Sequence, residues 1–142
     1  MRKSTNQFEK QSLRVAFIHA PDPIYADTQN YGAKFMPVWA YTLGAHIPGD
    51  GRFDLSLHDC RFEPERDIAE ADIFLFSGIN QDCGNIERVR ADLKQRFSDA
   101  HSIIGGPICW SFDQAESMGQ LDGFDHIFIG DGEDEIADIL EK

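Results

Sequence analysis

The chain has few cysteines and no cysteine cluster. Cys60, Cys83 and Cys109 are the only three in 142 residues, and no Cys-x-x-Cys pair occurs. A disulfide framework or a structural zinc site calls for a denser and usually even set. Isolated thiols of this kind fit a reducing, cytoplasmic setting. Basic residues are also scarce: 13 Lys and Arg stand against 25 Asp and Glu, a net charge of -12. Nucleic acid and anionic membrane surfaces both require a basic footprint, so neither is expected as a partner. No apolar run is long enough to cross a bilayer. Residues 1–12 lack the apolar core of a secretory signal and read as a flexible lead-in. No Gly-x-Gly-x-x-Gly follows the first strand, which removes the usual dinucleotide fingerprint.

The remaining sequence reads as one domain over residues 13–142. Hydrophobic residues make up 42% and charged residues 27%, enough to build a core at this length. Leu13 to Ala20 is a continuous apolar run closed by Pro21, the pattern of a strand buried on both faces. A long loop over residues 21–36 carries Asp22, Tyr25, Asp27 and Tyr31, and loops of that length are usually functional. Pro37 fits the first position of a helix that ends at Pro48 and Gly49. Phe53 to Asp59 alternates apolar and polar and reads as a half-exposed strand near an edge. Glu65 to Glu70 suits a short helix. Ala71 to Gly78 is a second buried strand. Ile86, Val89, Leu93 and Phe97 recur at helical spacing over Asn85–Phe97. Ser102 to Ile104 is the next strand, Asp113 to Met118 a short helix, Asp125 to Ile129 the last strand and Glu133 to Glu141 the closing helix. Strand and helix alternate about five times. That order predicts an α/β, Rossmann-like or flavodoxin-like three-layer sandwich of about five parallel strands with helices on both faces.

Two glycine signatures follow short apolar strands: Gly105-Gly106-Pro107, and Gly130-Asp131-Gly132-Glu133. Glycine at a strand end lets backbone rather than side chain approach what lies at the sheet edge. Each signature also has a plain structural account, the first as a tight turn and the second as an acid-capped helix start. In parallel sheets the strand-to-helix loops gather on one edge, where ligands bind.

The ordered set of motifs resembles the cobalamin-binding domain at the N-terminus of many radical S-adenosylmethionine enzymes. The resemblance rests on Ala20-Pro21, Phe35-Met36-Pro37, Leu43-Gly44-Ala45, Asp59, Ala71 to Gly78, Gly105-Gly106-Pro107 and Gly130 to Glu133. It covers about residues 13–142. The resemblance implies that a corrin lies over the carboxyl edge and that its nucleotide tail slides between strands and loops. The contacts it implies are Pro21, Asp22, Ser77, Gly78, Ile79, Asn80, Gly105, Gly106, Pro107, Gly130, Asp131, Gly132 and Glu133. The resemblance further implies a parent enzyme with a C-terminal radical barrel, S-adenosylmethionine and an iron–sulfur cluster, catalysing methyl transfer or related radical chemistry.

Two departures from that pattern shape the expectation. The first strand ends Phe17-Ile18-His19-Ala20-Pro21-Asp22 and lacks the Asp-x-His-x-x-Gly that ligates cobalt in the methionine-synthase type, so no histidine ligand is expected. His19 is the weak candidate for a metal contact, and a strand-end histidine often simply satisfies a neighbour. The Cys-x-x-x-Cys-x-x-Cys run of a radical enzyme is absent, so the chain is expected to position a cofactor rather than turn over substrate, as a fragment of a longer protein or a stand-alone domain. Two other readings stay open. One is the same fold without cobalamin, acting as a structural or substrate-gating cap. The other is a flavodoxin-like or receiver-like signalling domain, although the third strand ends Ser77-Gly78-Ile79-Asn80 without a phosphorylatable Asp at its tip.

Overall fold

The computed structural model describes residues 12–22, 37–116, 118–130, 132 and 135–140. Five strands form one all-parallel sheet: β1 (Leu13–His19), β2 (Phe53–Asp59), β3 (Ile73–Ser77), β4 (His101–Gly105) and β5 (His126–Ile127). Their spatial order is β2-β1-β3-β4-β5. This is the flavodoxin-like doubly wound order, and it places a topological switch point between the carboxyl ends of β1 and β3. The expected α/β sandwich is therefore the observed one.

Side-chain alternation along the strands divides the core into two layers. Val15, Phe17, Ile73, Leu75 and Ile103 face one side, where Ala40 of α1 (Val38–Ala45) and Ile136 and Leu140 of α4 (Ile136–Leu140) join them. Ala16, Ile18, Phe74, Phe76 and Ile104 face the other side. There they meet Ile86, Val89 and Leu93 of α2 (Cys83–Arg96) and Ile108 and Cys109 of α3 (Pro107–Gln114). Both faces are covered, which is why β1 and β3 are continuous apolar runs in the sequence. β2 is different: it is the outer strand, as expected, and its residues Asp54, Leu55 and Ser56 are exposed, but its buried residue is the polar His58 rather than a leucine.

Several boundaries differ from the sequence-based expectation. The helix expected over Asp113–Met118 runs instead from Pro107 to Gln114. Pro107 occupies its first turn, where a missing N–H costs nothing, so the Gly-Gly-Pro turn is itself the helix start. α1 begins at Val38 with Pro37 as its N-cap, one residue later than expected. The short helix expected over Glu65–Glu70 is a single 3-10 turn, Glu65–Asp67. A further 3-10 turn, Asn80–Asp82, leads into α2. Residues 1–11 and 23–36, with Tyr25, Asp27 and Tyr31, lie outside the described residues.

Ile104 has no exposed surface and sits between α2 and α3. We expect Ile104→Ala to lower stability by about 2–5 kcal/mol, from lost burial plus the cavity it leaves. Leu55→Ala, on the exposed edge, should cost well under half as much. A urea midpoint that moves no further for Ile104→Ala than for Leu55→Ala would contradict the assigned core.

Candidate functional site

The described residues among those expected at the site come from the carboxyl ends of the strands, but the fold divides them into two groups. The first group surrounds the switch point. Asp82 holds it together. Its carboxylate accepts the Ile79 backbone N–H at 3.0 Å and the Asp22 backbone N–H at 2.9 Å. Asn85 donates its side-chain amide to the Pro21 carbonyl at 3.0 Å. The loop after β1 is thereby tied to the loop after β3. Gly78 is glycine for a local reason: a Cβ there would stand 2.9 Å from both Asp82 Oδ2 and Ile86 Cδ1. Its carbonyl accepts the Ile108 N–H at 3.0 Å, so the tip of β3 is also joined to the start of α3. Ile79 and Asn80 are exposed beyond this joint.

Gly106 belongs to the same joint. Its φ is 90°, a region that side chains disfavour, and a Cβ would collide with the Ser77 hydroxyl. Ser77 is 8% exposed. The space beside Gly106 thus holds Ser77, a side chain of the same chain.

The second group lines an open cleft of about 390 Å³ between α1 and α4. Trp39 and Leu43 of α1 form one wall, Ile136 and Ile139 of α4 another, and Ile103 the floor. Gly105, Gly130 and Gly132 lie at its rim with Phe128, and Ser77, Gly106 and Pro107 border it. Gly105 follows Ile103 by two residues and so faces the same side of the sheet. A Cβ at Gly105 would meet only ordinary contacts, 3.6 Å to the Phe128 carbonyl oxygen and 3.8 Å to Phe128 Cβ. Gly105, unlike Gly106, therefore opens the cleft rather than making room for the fold. Trp110, 59% exposed, borders the mouth. The lining is mostly aliphatic and aromatic, and the volume lies within the range of small-molecule clefts. Asp131 and Glu133 lie outside the described residues.

His19, at the tip of β1, is 8% exposed, and its Nδ1 accepts the Trp39 indole N–H at 3.2 Å. This bond orients Trp39, a wall of the cleft. Beside it stands an ion pair absent from the expected set. Arg61 Nη2 lies 2.8 Å from Asp59 Oδ2, with 5% and 13% of the two side chains exposed. Burial pushes the Asp59 carboxyl up, but hydrogen bonds from the Arg61 side chain and backbone, aided by the Arg61 charge, leave it below its ordinary value. An Asp-x-Arg at a strand end carries little sequence signal, since only burial distinguishes it from a solvated pair. Among the described residues no three His, Cys, Asp or Glu side chains gather as a metal site would require.

A larger hollow of about 620 Å³ lies at the amino edge, bordered by Arg14, Asp72, His101 and His126. Arg14 and Asp72 are already paired at 3.1 Å. Parallel sheets present their ligand loops at the other edge, so the smaller cleft is the candidate site. No family model matches the chain, and no curated protein matches it. Among the described residues, no helix is long and apolar enough to cross a membrane.

Two outcomes follow from this geometry. Gly106→Ala should destabilise the fold by about 1–3 kcal/mol through its φ and the Ser77 contact. Adding Ser77→Ala should restore part of that loss in a double-mutant cycle, whereas strict additivity would contradict the contact. Asp59, depressed when folded, stabilises above its ordinary value of 3.8, and this is lost as pH falls through and below it. The stability difference between wild type and Asp59→Asn, measured by urea unfolding, should therefore shrink as pH falls from neutral toward acid. A difference that is flat across that range would contradict the pairing.

Proposed function

We propose that the chain is a cobalamin-binding module, with the nucleotide tail entering the cleft between α1 and α4 and the corrin lying over the carboxyl edge. The observation that carries this reading is the apolar cleft at Gly105, which lies at the strand ends where the resembling family accommodates its cofactor. Trp39 and Leu43 would flank a planar tail on one side and Ile136 and Ile139 on the other. Gly105 would let the tail reach the backbone. Bound cobalamin supplies the chemistry of its cobalt–carbon bond, and the chain's own part is to hold and orient it. The radical barrel, S-adenosylmethionine and the iron–sulfur cluster belong to the parent enzyme in this reading, and the domain works in the cytoplasm.

A second reading has its own support. Gly78 and Gly106 are filled from within, by Asp82, Ile86 and Ser77. A carboxyl edge tied up in this way also suits a domain that has the fold without the cofactor and serves as a cap.

Gel filtration after incubation with hydroxocobalamin separates the two. The first reading predicts a corrin spectrum that elutes with the protein. Gly105→Leu, which places a side chain in the cleft without a strained φ, should weaken retention by about tenfold or more while the far-UV circular dichroism stays the same. A colourless eluate from folded wild-type protein would contradict cobalamin binding and support the cap.

A further inference from the structure

The outer edge of β2 carries a pattern that no part of the proposed cofactor site uses. The strand reads Phe53-Asp54-Leu55-Ser56-Leu57-His58-Asp59, nearly symmetrical about Ser56. Its even-numbered positions bond inward to β1, as the flanking bonds from Cys60 N–H to the His19 carbonyl and from Leu13 N–H to the Arg52 carbonyl show. The odd-numbered positions Leu55 and Leu57 therefore turn their N–H and C=O groups outward. At one end Asp59 N–H is met by Glu63 Oε1 at 3.3 Å, but among the described residues no strand or side chain bonds the outward groups of Leu55 and Leu57. Long edges of this kind are usually blunted by charged side chains, Lys above all, by Pro or by a bulge, and β2 exposes one charge, Asp54. β2 has no Lys and no Pro.

We propose that β2 pairs antiparallel with β2 of a second copy of this chain, about a twofold axis at Ser56. In that register Leu55 faces Leu57 of the copy as a hydrogen-bonded pair, and Leu57 faces Leu55 in turn. The two leucines lie on the face toward α1, where Leu55 is 38% exposed in the single chain. On the other face, Asp54 comes opposite His58 of the copy in a non-hydrogen-bonded pair, where side chains approach most closely. His58 is 8% exposed, and its Nε2 has no hydrogen-bond partner among the described residues. Its Nδ1 lies 3.8 Å from Glu63 Oε2. Symmetry thus sets an acid against an imidazole twice and apolar residues against each other twice. The two five-stranded sheets join into one. Interfaces this narrow belong to the weak class, so association appears at high protein concentration.

Sedimentation velocity across a concentration series reads this directly. The mass is expected to rise from 16.0 kDa toward twice that value as concentration increases. Leu55→Lys should weaken association by about tenfold or more. Ser56→Cys tests the register separately from the strength. A twofold axis at Ser56 brings the two cysteines to about 4.5 Å between Cα atoms, within disulfide range. With oxidised glutathione this variant should form a covalent dimer roughly tenfold faster than Ser98→Cys, an exposed control at the amino edge. The native thiols compete little, because burial pushes all three up, Cys60 to about 12 and Cys109 to about 11. A mass fixed at 16.0 kDa, a dimer unaffected by Leu55→Lys, or cross-linking of Ser56→Cys no faster than the control would each overturn the proposal.

Discussion

The Ser77 hydroxyl against the bare backbone of Gly106 decides how the carboxyl edge is built. Gly106 takes a φ of 90°, which directs the chain from β4 straight into α3. The turn brings Ile108 N–H onto the Gly78 carbonyl, and Asp82 secures the loop after β3 from the other side. These contacts close the edge between β3 and β4. The open space is left one residue earlier, at Gly105, on the face toward α1 and α4. Two adjacent glycines thus have opposite roles. One lets the chain pack against itself, and the other leaves a cleft.

The second constraint is electrostatic. The chain carries a net charge of -12, yet the best-buried ion pair among the described residues, Asp59 with Arg61, sits at the same edge as the cleft. Charges taken out of water stabilise only where geometry is good and each partner is bonded. Here Arg61 meets both carboxylate oxygens and adds its own backbone N–H at 3.1 Å. The pair fixes the tip of β2 next to His19, and His19 in turn fixes Trp39. The wall of the cleft is therefore set by a chain of polar contacts that starts outside it.

Much of the fold was legible in the sequence. The runs Leu13–Ala20 and Ala71–Gly78 announce strands buried on both faces, and Ile86, Val89 and Leu93 announce the buried stripe of α2. The alternation in Phe53–Asp59 announces the outer strand. The start of α3 was not legible, because Gly-Gly-Pro reads equally as a turn or as a helix N-terminus. The site was legible only as an edge. Strand-end glycines mark close approach, but the sequence does not say whether the neighbour is a ligand or a side chain of the same chain. Gly78 and Gly106 proved to be of the second kind, since Asp82, Ile86 and Ser77 occupy the space beside them. Trp39, Leu43, Ile136 and Ile139 were missed as cleft residues because they read as ordinary helix packing.

We propose that the space at Gly105 receives a planar group. A crystal structure of the protein grown with hydroxocobalamin tests it most directly. The account predicts density for the nucleotide tail between Trp39 and Ile139, against the Gly105 backbone. A cleft closed by its own side chains in those crystals, or a corrin held elsewhere on the molecule, would contradict it.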